Sequence, residues 1–157
     1  MTPRSILVVT DFSELGGHAL ARAALLGAEH RAALQLVYLS APGEVPPPDV
    51  AVRLSHHALQ LRQRHQIAVQ AVSRVDCTVA DIARAAAAHD LVVWGTAPQR
   101  GLRAWWGTHP ALQLLRACQR PVVVVRNAAD QTYQSLLVAV DFSEASHRLV
   151  ELGLALH

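Results

Sequence analysis

Asp11 closes the run Ile6 to Thr10 and is followed by Phe12, Ser13 and Glu14. In an open parallel sheet, ligands bind outside the carboxyl ends of the strands. A carboxylate at such an end can accept hydrogen bonds from the hydroxyl or amino groups of a ligand. The same side chain can instead bond to the backbone just beyond it and steer the turn into a helix. Both readings fit Asp11. The nine histidines offer less chemistry. His56 and His57 are neighbours on one helical stretch, so their side chains diverge by about 100° and cannot chelate as an i,i+4 pair would. Neither they nor His65 belong to an HExxH or Cys/His pattern, and they read as an exposed helix face. No G-x-S-x-G elbow occurs, and no Ser, His and Asp set stands at strand ends. The chain reads as a binding protein and not as an enzyme.

Composition narrows the chemistry further. All fourteen basic residues are arginine, so every mechanism that needs a lysine is excluded: a P-loop, a Schiff base, a lysine general base. The net charge of +2 is spread along the chain, which argues against a nucleic-acid footprint. Cys77 and Cys118 form neither a CxxC motif nor half of a zinc site, and a reducing compartment is expected. No apolar run approaches membrane-spanning length and no signal-peptide pattern opens the chain, so a cytoplasmic protein without membrane contact is expected. With 52% apolar and 17% charged residues, the 157-residue chain can bury one sizeable core.

The elements that must position Asp11 alternate. Apolar runs at Ile6 to Thr10, Leu34 to Leu39, Ile67 to Val72, Leu91 to Trp94 and Val122 to Val125 read as strands. Between them lie helical stretches at about Gly17 to Arg31, Asp49 to His65, Val79 to His89 and Thr108 to Ala117. Val52 and Leu59 are expected to supply the apolar face of the second, Thr78 to cap the third, and Thr108 to cap the fourth with Pro110 in its first turn. The pattern β-α-β-α-β-α-β-α-β, with crossovers long enough to be right-handed, predicts a doubly wound, mostly parallel α/β sheet covered on both faces. Residues 126–134 are polar and read as a linker. After it the chain repeats itself: SILVVTDFSE at 5–14 and SLLVAVDFSE at 135–144 share seven of ten residues. A strand over Leu136 to Val140 and a helix from about Ala145 to Leu156 are expected there.

VTDFSE and VDFSE, a strand ending in WGT, and GLRAWWGTHPALQLLRACQRPVVVV together resemble the universal stress protein family. The resemblance implies a Rossmann-like five-stranded parallel sheet of order 3-2-1-4-5, a role in stress response, and pairing through the fifth strand as a homodimer. It implies one domain over residues 1–126, a linker over 127–134, and an incomplete second domain over 135–157, as in a truncated tandem member. Members of the family that bind ATP carry Gly-x2-Gly-x9-Gly-Ser/Thr, in which backbone amides and a helix N-terminus hold phosphate oxygens.

Carried onto this chain, the resemblance makes Asp11, the Leu39 backbone and Thr96 the adenosine end of a site. Gly95, Gly107 and Thr108 match the outer parts of the phosphate motif. The second glycine falls on Pro98, which has no N–H, and the segment is one residue short. ATP, ADP or AMP is therefore expected to bind weakly or not at all, and the alternative is a structural module that acts through dimerisation. Arg100 and Arg103 either offset the missing amides or lie on the loop surface. Trp105 and Trp106 divide between core or subunit packing and exposure, with a base-stacking platform as the other reading. His109 is either an anion contact or an incidental neighbour. Trp94 narrows the adenine pocket or covers the sheet.

Overall fold

The computed structural model describes residues 2–40, 45–73, 78–95, 110–141 and 143–156. The chain runs β1 (Ser5–Thr10), α1 (Glu14–His30), β2 (Ala33–Tyr38), α2 (Val50–His65), β3 (Val69–Val72), α3 (Val79–Ala86), β4 (Leu91–Gly95), α4 (Pro110–Ala117), β5 (Val122–Val125) and α5 (Glu144–Ala155). The strands form one parallel sheet of order β3-β2-β1-β4-β5, with helices on both faces, as the alternation and the resemblance predict. The strand order reverses between β1 and β4, which places the topological switch point where β1 ends.

Two-residue alternation along the strands builds two core layers. Ile6, Val8, Leu34, Leu36, Leu91 and Val93 face α1 and α2, where Ala19, Leu20, Ala23, Leu26, Leu54 and Ala58 complete the layer. Leu7, Val9, Val37, Val92 and Trp94 face the other way, against Ile82 and Ala86 of α3 and Leu114 of α4. Residues 6–9 of β1 are fully buried, as expected of a central strand covered twice. Trp94 is a core residue of the second layer.

Local signals fix the helix ends. The Ser13 hydroxyl accepts from Gly16 N–H and starts α1 three residues earlier than the sequence suggested. Thr78 and Asp81 form a reciprocal capping box on α3. Arg31 and Gln66 end α1 and α2 in the left-handed conformation, each returning its N–H to the preceding turn. The expected face of α2 needs correction. Val50, Leu54 and Ala58 are buried, whereas Val52 and Leu59 are 71% and 51% exposed. The i, i+4, i+8 spacing of the buried set forms one stripe, and Val52 lies on the opposite side of it.

The truncated-tandem reading is overturned. Among the described residues there is one sheet, and residues 136–140 add no strand to it and found no other. Leu137 is 99% exposed. The polypeptide after β5 instead packs back on its own domain. Arg22 of α1 donates to the Gln131 carbonyl at 2.9 Å and lies 4.1 Å from the Tyr133 ring centroid. Tyr133, Leu152 and Leu156 join the core layer of α1 and α2, Leu156 as a buried member. A strand needs a ladder partner for its N–H and C=O groups, and residues 136–140 have none among the described residues.

Candidate functional site

The carboxyl ends of β1 and β4 meet the first turn of α1. Gly95, the last residue of β4, sits so close to α1 that a Cβ would lie 1.9 Å from the Leu15 carbonyl oxygen. A Cβ on Gly16 would come within 2.7 Å of both Asp11 Oδ1 and Thr10 Oγ1. These two glycines let helix and strand ends touch backbone to backbone. Asp11 and Gly95 therefore border the same turn. Gly95 has a packing role that a phosphate motif alone does not reveal.

Within that turn Asp11 Oδ1 accepts from Ser13 N–H at 2.9 Å and from the Ser13 hydroxyl. The turn-forming reading of Asp11 is thus realised. It occupies one carboxylate oxygen, and no described donor reaches the other. Thr10 is fully buried, and its hydroxyl accepts from Phe12 N–H at 3.1 Å. Leu39 N–H donates to the Thr10 carbonyl at 3.0 Å, which ties the end of β2 to the end of β1. A ligand contact from the Leu39 backbone would have to use its carbonyl oxygen.

Phe12, between Asp11 and Ser13, has φ 61°, a left-handed conformation that costs a non-glycine residue roughly 1–3 kcal/mol. Its ring is held from several sides. Tyr38 stacks on it at 4.9 Å between centroids and 24° between planes, and His57 at 5.9 Å and 22°. The Arg53 guanidinium lies 4.1 Å from the ring centroid. Aromatic pairs and cation–π contacts contribute about 0.5–1.5 kcal/mol each, enough to offset the backbone strain. His57 is therefore not part of a bare exposed helix face, as the sequence suggested, but a member of this stack. Burial there lowers its pKa below 6.5, and the neighbouring His56 and Arg53 charges lower it further. Sequence reasoning missed the stack. The available signal was that Phe12 and Tyr38, two of only seven aromatic residues, lie just past the first apolar run and within the second.

Of the site residues inferred from sequence, Asp11, Leu39 and Gly95 gather at this end of the sheet. Thr96, Gly107 and Thr108 lie outside the described residues, as do Pro98, Arg100, Arg103, Trp105, Trp106, His109 and Cys77. A shallow groove of about 530 Å³ lies at the opposite end, lined by Ser5, Gln35, Arg62, Gln70 and His89 among others. It is remote from the switch point, and the strand-end crevice remains the better candidate on topological grounds. Among the described residues no three His, Cys, Asp or Glu side chains gather as a metal site. No described helix is long and apolar enough to cross a membrane.

A doubly wound parallel sheet with an acidic strand end at its switch point defines an open α/β binding fold. The profile of the universal stress protein family matches residues 2–126, well over half the chain, and the chain belongs to that family. Several solved structures share the fold. A universal stress protein in complex with cAMP is 17% identical, with a TM-score of 0.68 over 80% of this chain and 98% of that one. A family member from Burkholderia pseudomallei is 27% identical, with a TM-score of 0.57 over 79% and 96%. A universal stress protein from Archaeoglobus fulgidus DSM 4304 is 15% identical, with a TM-score of 0.76 over 98% of this chain and 62% of that one. No curated protein matches the sequence.

Proposed function

We propose that this family member is a cytoplasmic stress-response protein whose switch-point crevice takes the adenosine part of an adenine nucleotide and grips the phosphates weakly. The observation that carries the reading is the exposed Asp11 carboxylate, whose Oδ2 meets no donor among the described residues, beside the buried Thr10. Asp11 Oδ1 is fixed by Ser13, and Oδ2 is left to accept from a ribose hydroxyl. The Leu39 carbonyl, on the neighbouring strand end, can accept from an adenine amino group. A universal stress protein of the same fold has been crystallised with cAMP, which supports a nucleotide of this class. Thr96 would face the crevice, and Gly95, Gly107 and Thr108 would contribute what remains of the phosphate cradle. Pro98 has no N–H to donate, and a segment one residue short would misplace a second donor. Each loss costs about 0.5–1.5 kcal/mol, so ATP should bind roughly 10- to 100-fold more weakly than to an intact cradle.

Titration calorimetry with AMP, ADP and ATP tests the proposal. The expected result is weak binding with little discrimination among the three, abolished in Asp11→Ala. Micromolar ATP affinity with a strong preference over AMP would overturn the phosphate part. Failure of all three nucleotides to bind would favour a second reading, an interaction module acting as a homodimer. The observation behind that reading is β5, a sheet-edge strand of four valines whose first three residues are only half-buried. Pairing it across a two-fold axis would cover the edge. Light scattering at micromolar concentration distinguishes dimer from monomer.

A further inference from the structure

We propose that Arg53, His57 and Tyr38 are positioning residues that hold Phe12, and through it the Asp11 carboxylate, in the geometry that receives a ligand; this rests on the reading of Asp11 as a ligand contact. Phe12 occupies a backbone position that glycine or asparagine would fill without strain, and a phenylalanine stays there only if its ring is restrained. The restraint comes from two other elements. Tyr38 is the last residue of β2, paired in register with Thr10, and it is buried. Arg53 and His57 stand one turn apart on α2, so that both reach the same ring. The guanidinium at 4.1 Å and the imidazole stacked at 22° additionally limit where the ring can go.

The consequence follows from the covalent chain. Phe12 N–H is bonded to Thr10 Oγ1, and the next amide, Ser13 N–H, is bonded to Asp11 Oδ1. If Phe12 relaxed to a negative φ, the Ser13 amide would swing away and release Oδ1. Asp11 would then be free to rotate, and Oδ2 would lose its fixed direction. Residues on α2 that touch no ligand would in this way set affinity at the end of β1.

Two readouts test the clamp: hydrogen exchange at the Ser13 amide by NMR, and binding of adenosine against 2′-deoxyadenosine. Arg53→Ala and Phe12→Ala should speed Ser13 exchange. Arg53→Ala should weaken adenosine binding about two- to fivefold, and Arg53→Lys, which keeps the cation, should restore most of it. Affinity for 2′-deoxyadenosine should change less, because the lost contact is to a ribose hydroxyl. A merely structural role for Arg53 would weaken both ligands equally. Equal weakening, or Ser13 exchange unaltered in both alanine variants, would overturn the proposal. If adenosine fails to bind the wild-type protein, the ligand reading falls while the exchange data still decide the clamp: faster exchange supports it, and unaltered exchange overturns it.

Discussion

The sequence DFSE occurs twice, and in both copies the aspartate bonds the serine two residues on, in different surroundings. Asp11 Oδ1 accepts from the N–H and hydroxyl of Ser13, and Asp141 Oδ1 accepts from the N–H and hydroxyl of Ser143. Ser13 caps α1 at φ −71°, ψ 171°, and Ser143 caps α5 at φ −78°, ψ 165°. Upstream the copies part. Residues 5–10 form the central strand of the sheet, whereas residues 135–140 pair with no strand among the described residues. Asx turns and N-caps are made within a few residues, so the sequence dictates them wherever it occurs. A strand depends on neighbours on either side. β1 has β2 and β4; the second copy has no neighbour among the described strands.

The largest expected difference between the two regions lies in the packing beyond the turn. Gly95→Ala would drive a methyl into the Leu15 carbonyl, a backbone atom that can move only with α1, and should destabilise by about 3 kcal/mol or more. Gly153→Ala on α5 would meet only Val138 Cγ2, at 3.0 Å. That side chain can give way and alanine favours a helix, so the change should be near neutral. Urea denaturation of both variants measures the contrast. Equal losses would mean that the second turn is packed as tightly as the first. Leu156→Ala comes next, removing a buried side chain by which the tail joins the core. A loss of about 2 kcal/mol is expected if the tail is part of the folded unit. An unchanged melting temperature would show that it is not.

Local rules and apolar alternation made the sheet, its helices and the Thr78 cap legible from sequence. The pattern failed where the answer depended on distant partners. Residues 136–140 are as apolar as a strand requires, but nothing in them says whether a ladder awaits them. Val52 and Leu59 are as apolar as Leu54, and only the docking of α2 on β2 and β3 selects the stripe that is buried. At the site, Asp11 was readable because a strand end is a position in sequence. The stack of Phe12, Tyr38, Arg53 and His57 was not, because it joins a turn, a strand and a helix through parallel register. Gly95 was recognised as part of a ligand motif, while its close approach to α1 becomes visible only in three dimensions.

Cap substitutions sharpen the comparison at the level of one hydrogen bond. Ser13→Ala and Ser143→Ala remove equivalent caps and should each cost their own helix about 1 kcal/mol. The first loss should appear in global unfolding, because α1 lies across the central strands. The second should appear mainly as faster amide exchange in α5, with a smaller change in the midpoint. Equal shifts in the global midpoint would place both turns in one cooperative unit.

The smallest effect is also the most specific, because the two regions should respond to acid in different windows. Beside the first turn, His57 has its pKa lowered by burial and then by the His56 and Arg53 charges. The unfolded chain therefore takes up this proton at higher pH than the folded one. Its contribution to stability is complete above 6.5 and is lost as pH falls from there through the lower folded value. In the second turn the Asp141 pKa is lowered from 3.8 to about 2, chiefly by the Ser143 hydroxyl, then by Ser146 and the Ser143 backbone. A carboxylate lowered in the folded state stabilises above 3.8, and that contribution disappears as pH falls through about 2. Tyr38 and Phe12 sit in the first region, so NMR of their rings between pH 7 and 5 should follow His57, while the Ser143 amide, which donates to Asp141, should follow the Asp141 carboxylate as pH falls from 3.8. His57→Gln should abolish the upper transition and leave the lower one untouched. If the Phe12 ring instead shifts only together with the Ser143 amide below 3.8, the stack does not sense His57 and the two turns answer to one titration.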